Sequence, residues 1–135
     1  MLRVTRSIDF STSLRYWLPD LDADENRRRF GRFAQQHGHN YRLEITLCGE
    51  PDPETGMVYN LIDLKAIAEV EIMARFDHKD LNRDTDFFEK MPPTPENFAE
   101  LIFGLLDQAL PEGLLDRIRL HVGPDLYVDV IGGPR

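Results

Sequence analysis

His37-Gly38-His39-Asn40-Tyr41-Arg42-Leu43-Glu44-Ile45-Thr46-Leu47 is the stretch on which the reading of this chain turns. Tyr41, Leu43, Ile45 and Leu47 alternate with polar residues, the period-two signature of a half-buried strand. His37 and His39 stand two residues apart on the same face as those apolar residues. Two imidazoles so placed form a chelating pair for a divalent metal such as zinc. A zinc centre that performs chemistry needs about three protein ligands and one open position. The strand is expected to run from His37 to Gly49.

Outward from this strand the pattern is that of a mixed fold. Val4, Arg6, Ile8, Phe10, Thr12 and Leu14 share one face of an opening strand. Residues 19–36 are polar and are expected to hold a short helix around 24–34. Pro51-Asp52-Pro53-Glu54-Thr55-Gly56 is dense in turn formers and predicts a hairpin loop. Residues 57–60 are then expected to return as the partner strand. Leu61, Leu64, Ala68, Ile72 and Phe76 recur at helical spacing. Residues 77–91 show no regular period. Thr94 is a candidate N-cap with Pro95 at the first helical position. Phe98, Leu101, Ile102, Leu105, Leu106 and Ala109 mark a second helix, stopped by Pro111 and Gly113. Ile118, Leu120 and Val122, then Leu126, Val128 and Val130, alternate around Gly123-Pro124-Asp125, a closing hairpin. The expectation is an α+β fold, an antiparallel four-stranded sheet with two helices on one face.

Composition narrows the function classes. At 135 residues the chain reads as one domain spanning 1–135, with 41% hydrophobic and 30% charged residues, ordinary for a soluble globular protein. A net charge of −8 argues against nucleic acid or an anionic membrane as a partner. Arg27-Arg28-Arg29 lies among Asp20, Asp22, Asp24 and Glu25 and reads as a solvated, charge-balanced helix face. Cys48 is alone, so no intrachain disulfide forms and a reducing compartment fits. The opening Met1-Leu2-Arg3-Val4-Thr5-Arg6 lacks the apolar core of a signal peptide, and no apolar run reaches the roughly 20 residues of a membrane span. The cytoplasm is the expected location.

Six segments in order carry a resemblance across roughly residues 3–130. They are Ile8-Asp9-Phe10-Ser11-Thr12-Ser13, the His37–Tyr41 strand, the run from Gly49 to Val58, Asn60-Leu61-Ile62-Asp63-Leu64-Lys65, Phe76-Asp77-His78-Lys79-Asp80-Leu81-Asn82, and Pro93-Thr94-Pro95-Glu96-Asn97. Together they resemble the 6-pyruvoyltetrahydropterin synthase / 6-carboxytetrahydropterin synthase family. The resemblance implies a tunnelling fold, in which subunit sheets join around an oligomeric barrel. It implies a trimer or hexamer with active sites between subunits. It also implies a lyase-type reaction on dihydroneopterin triphosphate, with zinc as Lewis acid.

By the same resemblance, His37 and His39 match two of three zinc ligands. The third falls at Leu14, which has no lone pair to give, so zinc is expected to bind weakly or not at all. Asp77 and His78 match a catalytic acid–base dyad, in which the aspartate orients the imidazole. Thr94 and Glu96 match the region near the substrate, although a first-turn carboxylate also suits the helix dipole. Phe33 stands where a reactive cysteine is expected, and Cys48 lies on the opposite strand face from the histidines. Gly123 stands where a pterin-anchoring glutamate is expected. The resulting expectation is a divergent member of the family acting by acid–base chemistry on a pterin-like or other small molecule. The alternative is a non-catalytic oligomeric binding or scaffold protein of the same fold.

Overall fold

The computed structural model describes residues 1–133. Its elements are β1 (Leu2–Leu14), α1 (Ala23–Phe30) with a 3-10 turn at Gly31–Ala34, β2 (His37–Gly49), α2 (Leu61–Ala68), α3 (Ala74–Phe76), β3 (Lys79–Asp80), α4 (Pro95–Ala109), β4 (Leu115–Val122) and β5 (Tyr127–Ile131). The strands form one five-stranded sheet in the order β3-β1-β2-β4-β5. The α+β class agrees with the sequence reading; the four-stranded antiparallel sheet does not. β3 lies parallel to β1, with Thr12 beside Lys79 and Ser13 beside Asp80. A two-residue strand is too short to show an alternation in sequence.

A second correction concerns residues 57–60, which form no strand. The turn before them is real. Asp52 Oδ1 accepts from the N–H groups of Glu54 and Thr55, and the Gly56 N–H donates to the Asp52 carbonyl. The chain that leaves the turn finds no free edge, because β2 is already paired with β1 on one side and β4 on the other.

The predicted helix from Leu61 to Phe76 is present as α2 and α3 joined through a π turn at Glu69–Met73. Asn60 caps it, its side chain accepting from the Ile62 N–H at 2.9 Å. Leu64, Ala68, Ile72 and Phe76 are fully buried. Thr94 caps α4, its hydroxyl accepting from the Asn97 N–H at 3.2 Å. From α4 the side chains of Phe98, Ala99, Ile102 and Leu106 enter the core. They meet Phe10, Leu14, Tyr41, Leu43, Ile45 and Leu47 of the sheet's covered face. Each large apolar side chain buried there contributes about 1.5–3 kcal/mol. The sheet's other face carries Asp9, Ser11, Asn40, Arg42 and Glu44, where Asp9 pairs with Arg42 and Ser11 with Asn40. Strand parity therefore decides which face of the sheet each β1 and β2 side chain reaches.

Candidate active site

β2 delivers His37 and His39 to the covered face, at the end of the sheet beyond Tyr41. Their rings stand edge to face with centroids 5.0 Å apart. His37 Nδ1 lies 2.8 Å from the Gln35 carbonyl oxygen. A carbonyl only accepts, so Nδ1 carries the hydrogen and Nε2 of the neutral ring keeps a lone pair. Nε2 of His37 and Nε2 of His39 are both buried and have no hydrogen-bond partner. Burial, then the neighbouring His37, hold His39 below its ordinary value. Neutral imidazoles with free lone pairs are the form a metal needs.

The third corner does not complete the set. Leu14 is paired directly across the β1–β2 ladder from His37, and Thr12 from His39. Leu14 is 1% exposed and belongs to the hydrophobic core. Among the described residues, no three of His, Cys, Asp or Glu gather to hold a metal ion. Among the described residues His37 and His39 stand as a pair, with Leu14 and Thr12 opposite them on β1.

Aromatic side chains wall this end of the sheet. Tyr16 stacks on Phe33 at 5.0 Å and meets His37 at 5.7 Å. Burial, then the negative charge of Glu96, push the Tyr16 phenol up. Glu96 thus sits electrostatically on the histidine side. Tyr41 is buried deeper, touching His39 at 5.8 Å and Phe98 at 5.3 Å, and burial pushes its phenol up to about 12. Phe33, at the position where a cysteine was expected, is 40% exposed and lines a cavity of about 270 Å³ with Arg32 and His37. Thr94 spends its hydroxyl on the helix cap.

Asp77 and His78 lie elsewhere. Asp77 Oδ1 accepts from the Ser11 N–H at 3.1 Å and lies 2.9 Å from His78 Nδ1. The His78 N–H donates to the Ser11 carbonyl at 2.7 Å. These bonds clamp the dyad to β1 and hold His78 at φ 60, a left-handed conformation that costs a non-glycine residue about 1–2 kcal/mol. The imidazole is 84% exposed, with its Nδ1 side held by the carboxylate. Asp77 and His78 line a cleft of about 880 Å³ with Asn40, Arg42, Glu44 and His121. Asn40, Arg42 and Glu44 alternate with His37, His39 and Tyr41 along β2, so the cleft opens on the uncovered sheet face. A single chain therefore separates the histidine pair from the dyad by the thickness of the sheet.

Sequence reasoning did not single out Glu44 and His121. They meet across β2 and β4, with His121 Nε2 against Glu44 Oε2, and the His121 ring lies 5.4 Å from Tyr127. The signal was weak, since it required the β2–β4 register. Gly123 lies at the turn after β4 with φ 87 and lines the same cleft without a side chain to hold a ligand.

Comparison with known proteins identifies the family of the chain. The family described as 6-pyruvoyl tetrahydropterin synthase matches residues 3–132. The Homo sapiens 6-pyruvoyl tetrahydrobiopterin synthase is 41% identical over 121 residues, covering 88% of this chain and 83% of that protein. The Drosophila melanogaster protein of the same name is 41% identical over 133 residues, covering 96% and 79%. The structure of Caenorhabditis elegans 6-pyruvoyl tetrahydropterin synthase matches with a TM-score of 0.91 at 30% identity, covering 98% of this chain and 96% of that one. The chain belongs to the 6-pyruvoyl tetrahydropterin synthase family.

Proposed function

We propose that this chain is a homo-oligomeric, small-molecule acid–base enzyme built on the pterin synthase scaffold, with the zinc-dependent step of that chemistry removed. The observation that carries the reading is a contrast between two sets of residues. The Asp77–His78 dyad is intact and oriented, while Leu14 occupies the corner opposite His37.

In the proposed mechanism Asp77 fixes the hydrogen on His78 Nδ1 and stabilises the imidazolium that forms when Nε2 takes a proton. The exposed Nε2 side is where a substrate C–H or O–H is presented. His37 and His39 offer lone pairs as hydrogen-bond acceptors from substrate, and Glu96 and Tyr16 border that position. No step is assigned to a metal, because the donor set falls one ligand short. The substrate is read as pterin-like or another small molecule, and a net charge of −8 disfavours nucleic acid. No helix among the described residues is long and apolar enough to cross a membrane.

The two halves of the site lie on opposite faces of one sheet, so one chain cannot apply both to one ligand. A ring of two or more copies removes that obstacle. A trimer or hexamer is therefore part of the proposal, in which His78 of one subunit serves the histidine pocket of another. The test is turnover of dihydroneopterin triphosphate, with and without added zinc, followed by chromatography of the products. Negligible turnover under both conditions supports the reading.

A further inference from the structure

We infer that Asp80 is a positioning residue shared by the two halves of the proposed site, holding His78 through Ser13 and His37 through Gln36. The inference rests on the reading of the Asp77–His78 dyad and the histidine pair given above and deepens it. Asp80 is half-buried where β3 meets the end of β1. Its Oδ1 accepts from the main-chain N–H groups of Asn82 at 3.0 Å and Arg83 at 2.9 Å. Its Oδ2 accepts from the Ser13 hydroxyl at 2.9 Å and from the Gln36 side-chain amide. A carboxylate only accepts, and its two oxygens offer about four lone-pair sites, so one side chain can serve all these donors at once. The donors come from β1, from the segment entering β2 and from the turn after β3.

On the dyad side Asp80 answers a conformational strain. His78 stands at φ 60, and a strained residue persists only where its surroundings over-determine it. One hold is the set of bonds from Asp77 and His78 to Ser11. The other is the short ladder of Lys79 and Asp80 on Thr12 and Ser13, where the Leu81 N–H donates to the Ser13 carbonyl at 2.9 Å. Two residues of ladder make a weak anchor alone. The Asp80 carboxylate reinforces it by taking the Ser13 hydroxyl. It also closes the turn from which Asn82 grips the main chain of Arg15, accepting from its N–H at 2.9 Å and donating to its carbonyl at 3.0 Å.

On the histidine side the link is Gln36. The residue before it sets the His37 ring, because the Gln35 carbonyl accepts from Nδ1 and so leaves Nε2 its lone pair. Gln36 itself is exposed, so packing does not fix its place. The bond to Asp80 does, and with it the path of the main chain from the Gly31–Ala34 turn into β2. One carboxylate thus reaches both halves, although the sheet keeps them apart.

The experiment is long-range proton–nitrogen correlation spectroscopy of the isotope-labelled full chain, which reports the nitrogen that carries the hydrogen in each imidazole. It is run at about pH 8, above the ordinary histidine value. The variants are Asp80→Ala, Ser13→Ala and Gln36→Leu, with exposed Asp86→Ala as a charge control, each checked by thermal melting. The unaltered chain should hold the hydrogen on Nδ1 at both His37 and His78. Asp80→Ala should lose that form at both rings, Ser13→Ala at His78 only and Gln36→Leu at His37 only. Asp86→Ala should lose it at neither. Loss at one ring or at neither in Asp80→Ala would overturn the inference. So would Ser13→Ala or Gln36→Leu disturbing both rings alike, the mark of general loosening. If Asp80→Ala does not fold, the other two variants decide: with His78 and His37 unmoved, the inference fails. Absence of the hydrogen from His78 Nδ1 in the unaltered chain would instead overturn the dyad reading, and the inference with it.

Discussion

Leu14 and His37 face each other across the β1–β2 ladder, an apolar core residue opposite an imidazole whose Nε2 has no partner. This pairing dictates a metal-binding outcome. The purified protein should carry well under one zinc per chain. Leu14→His should place a third imidazole beside His37 and His39 and bring zinc close to one per chain, read by elemental analysis. Without metal the variant should be less stable by about 1–3 kcal/mol, because a polar ring replaces a buried leucine. Added zinc should recover that loss by binding the folded state. Stoichiometric zinc in the unaltered protein would reveal a third ligand from outside this chain.

His78 pays for its position in backbone conformation. At φ 60, glycine would be relieved of the steric cost that histidine bears. His78→Gly should therefore keep or raise the melting temperature, a gain of up to about 1 kcal/mol, while abolishing any turnover. A fall in stability would show that the imidazole packs structurally and does not serve a substrate.

β5 ends the sheet, paired only with β4, and carries exposed Tyr127 and Ile131. An uncovered edge of this kind seeks another strand. Light scattering at micromolar concentration should give the mass of a trimer or hexamer. A clean monomer would contradict the shared-site proposal, because one chain keeps its dyad and its histidine pair on opposite faces.

The Arg119–Asp129 pair links β4 and β5 through two bonds of 2.8 and 3.0 Å. The hydrogen bond from Arg119 holds the Asp129 carboxyl below its ordinary value of 3.8. A carboxyl lowered in the folded state contributes stability above its unfolded value and loses it as pH falls through the folded value. Asp129→Asn should thus cost about 1 kcal/mol near neutrality. That difference should shrink below pH 3.8. Chemical denaturation at neutral and acid pH measures the change.

Much of this was legible from residue order alone. Period-two alternation located β1, β2, β4 and β5, and helical spacing located α2 and α4, because each buries one continuous apolar face. Thr94 was readable as a cap because a hydroxyl before Pro95 has an evident local partner. The partner strand at 57–60 failed because strand pairing depends on which edges are already taken, and that is decided by the distant β4. β3 was invisible because two residues have no period. The candidate site was legible as residue types but not as geometry. Sequence placed His37, His39, Asp77 and His78 in one list; strand parity and the clamp on Ser11 put them on opposite faces. Glu44 and His121 are 77 positions apart and become a pair only through register.

The most direct measurement is turnover of dihydroneopterin triphosphate by the purified oligomer, with zinc absent, zinc added, and zinc added to Leu14→His. The expected result is negligible product from the unaltered chain in either condition, with any zinc-dependent product appearing only in Leu14→His. Turnover by the unaltered chain at about 1 s⁻¹ or faster, an ordinary enzymatic rate, would contradict the claim that Leu14 has removed the original chemistry from this scaffold.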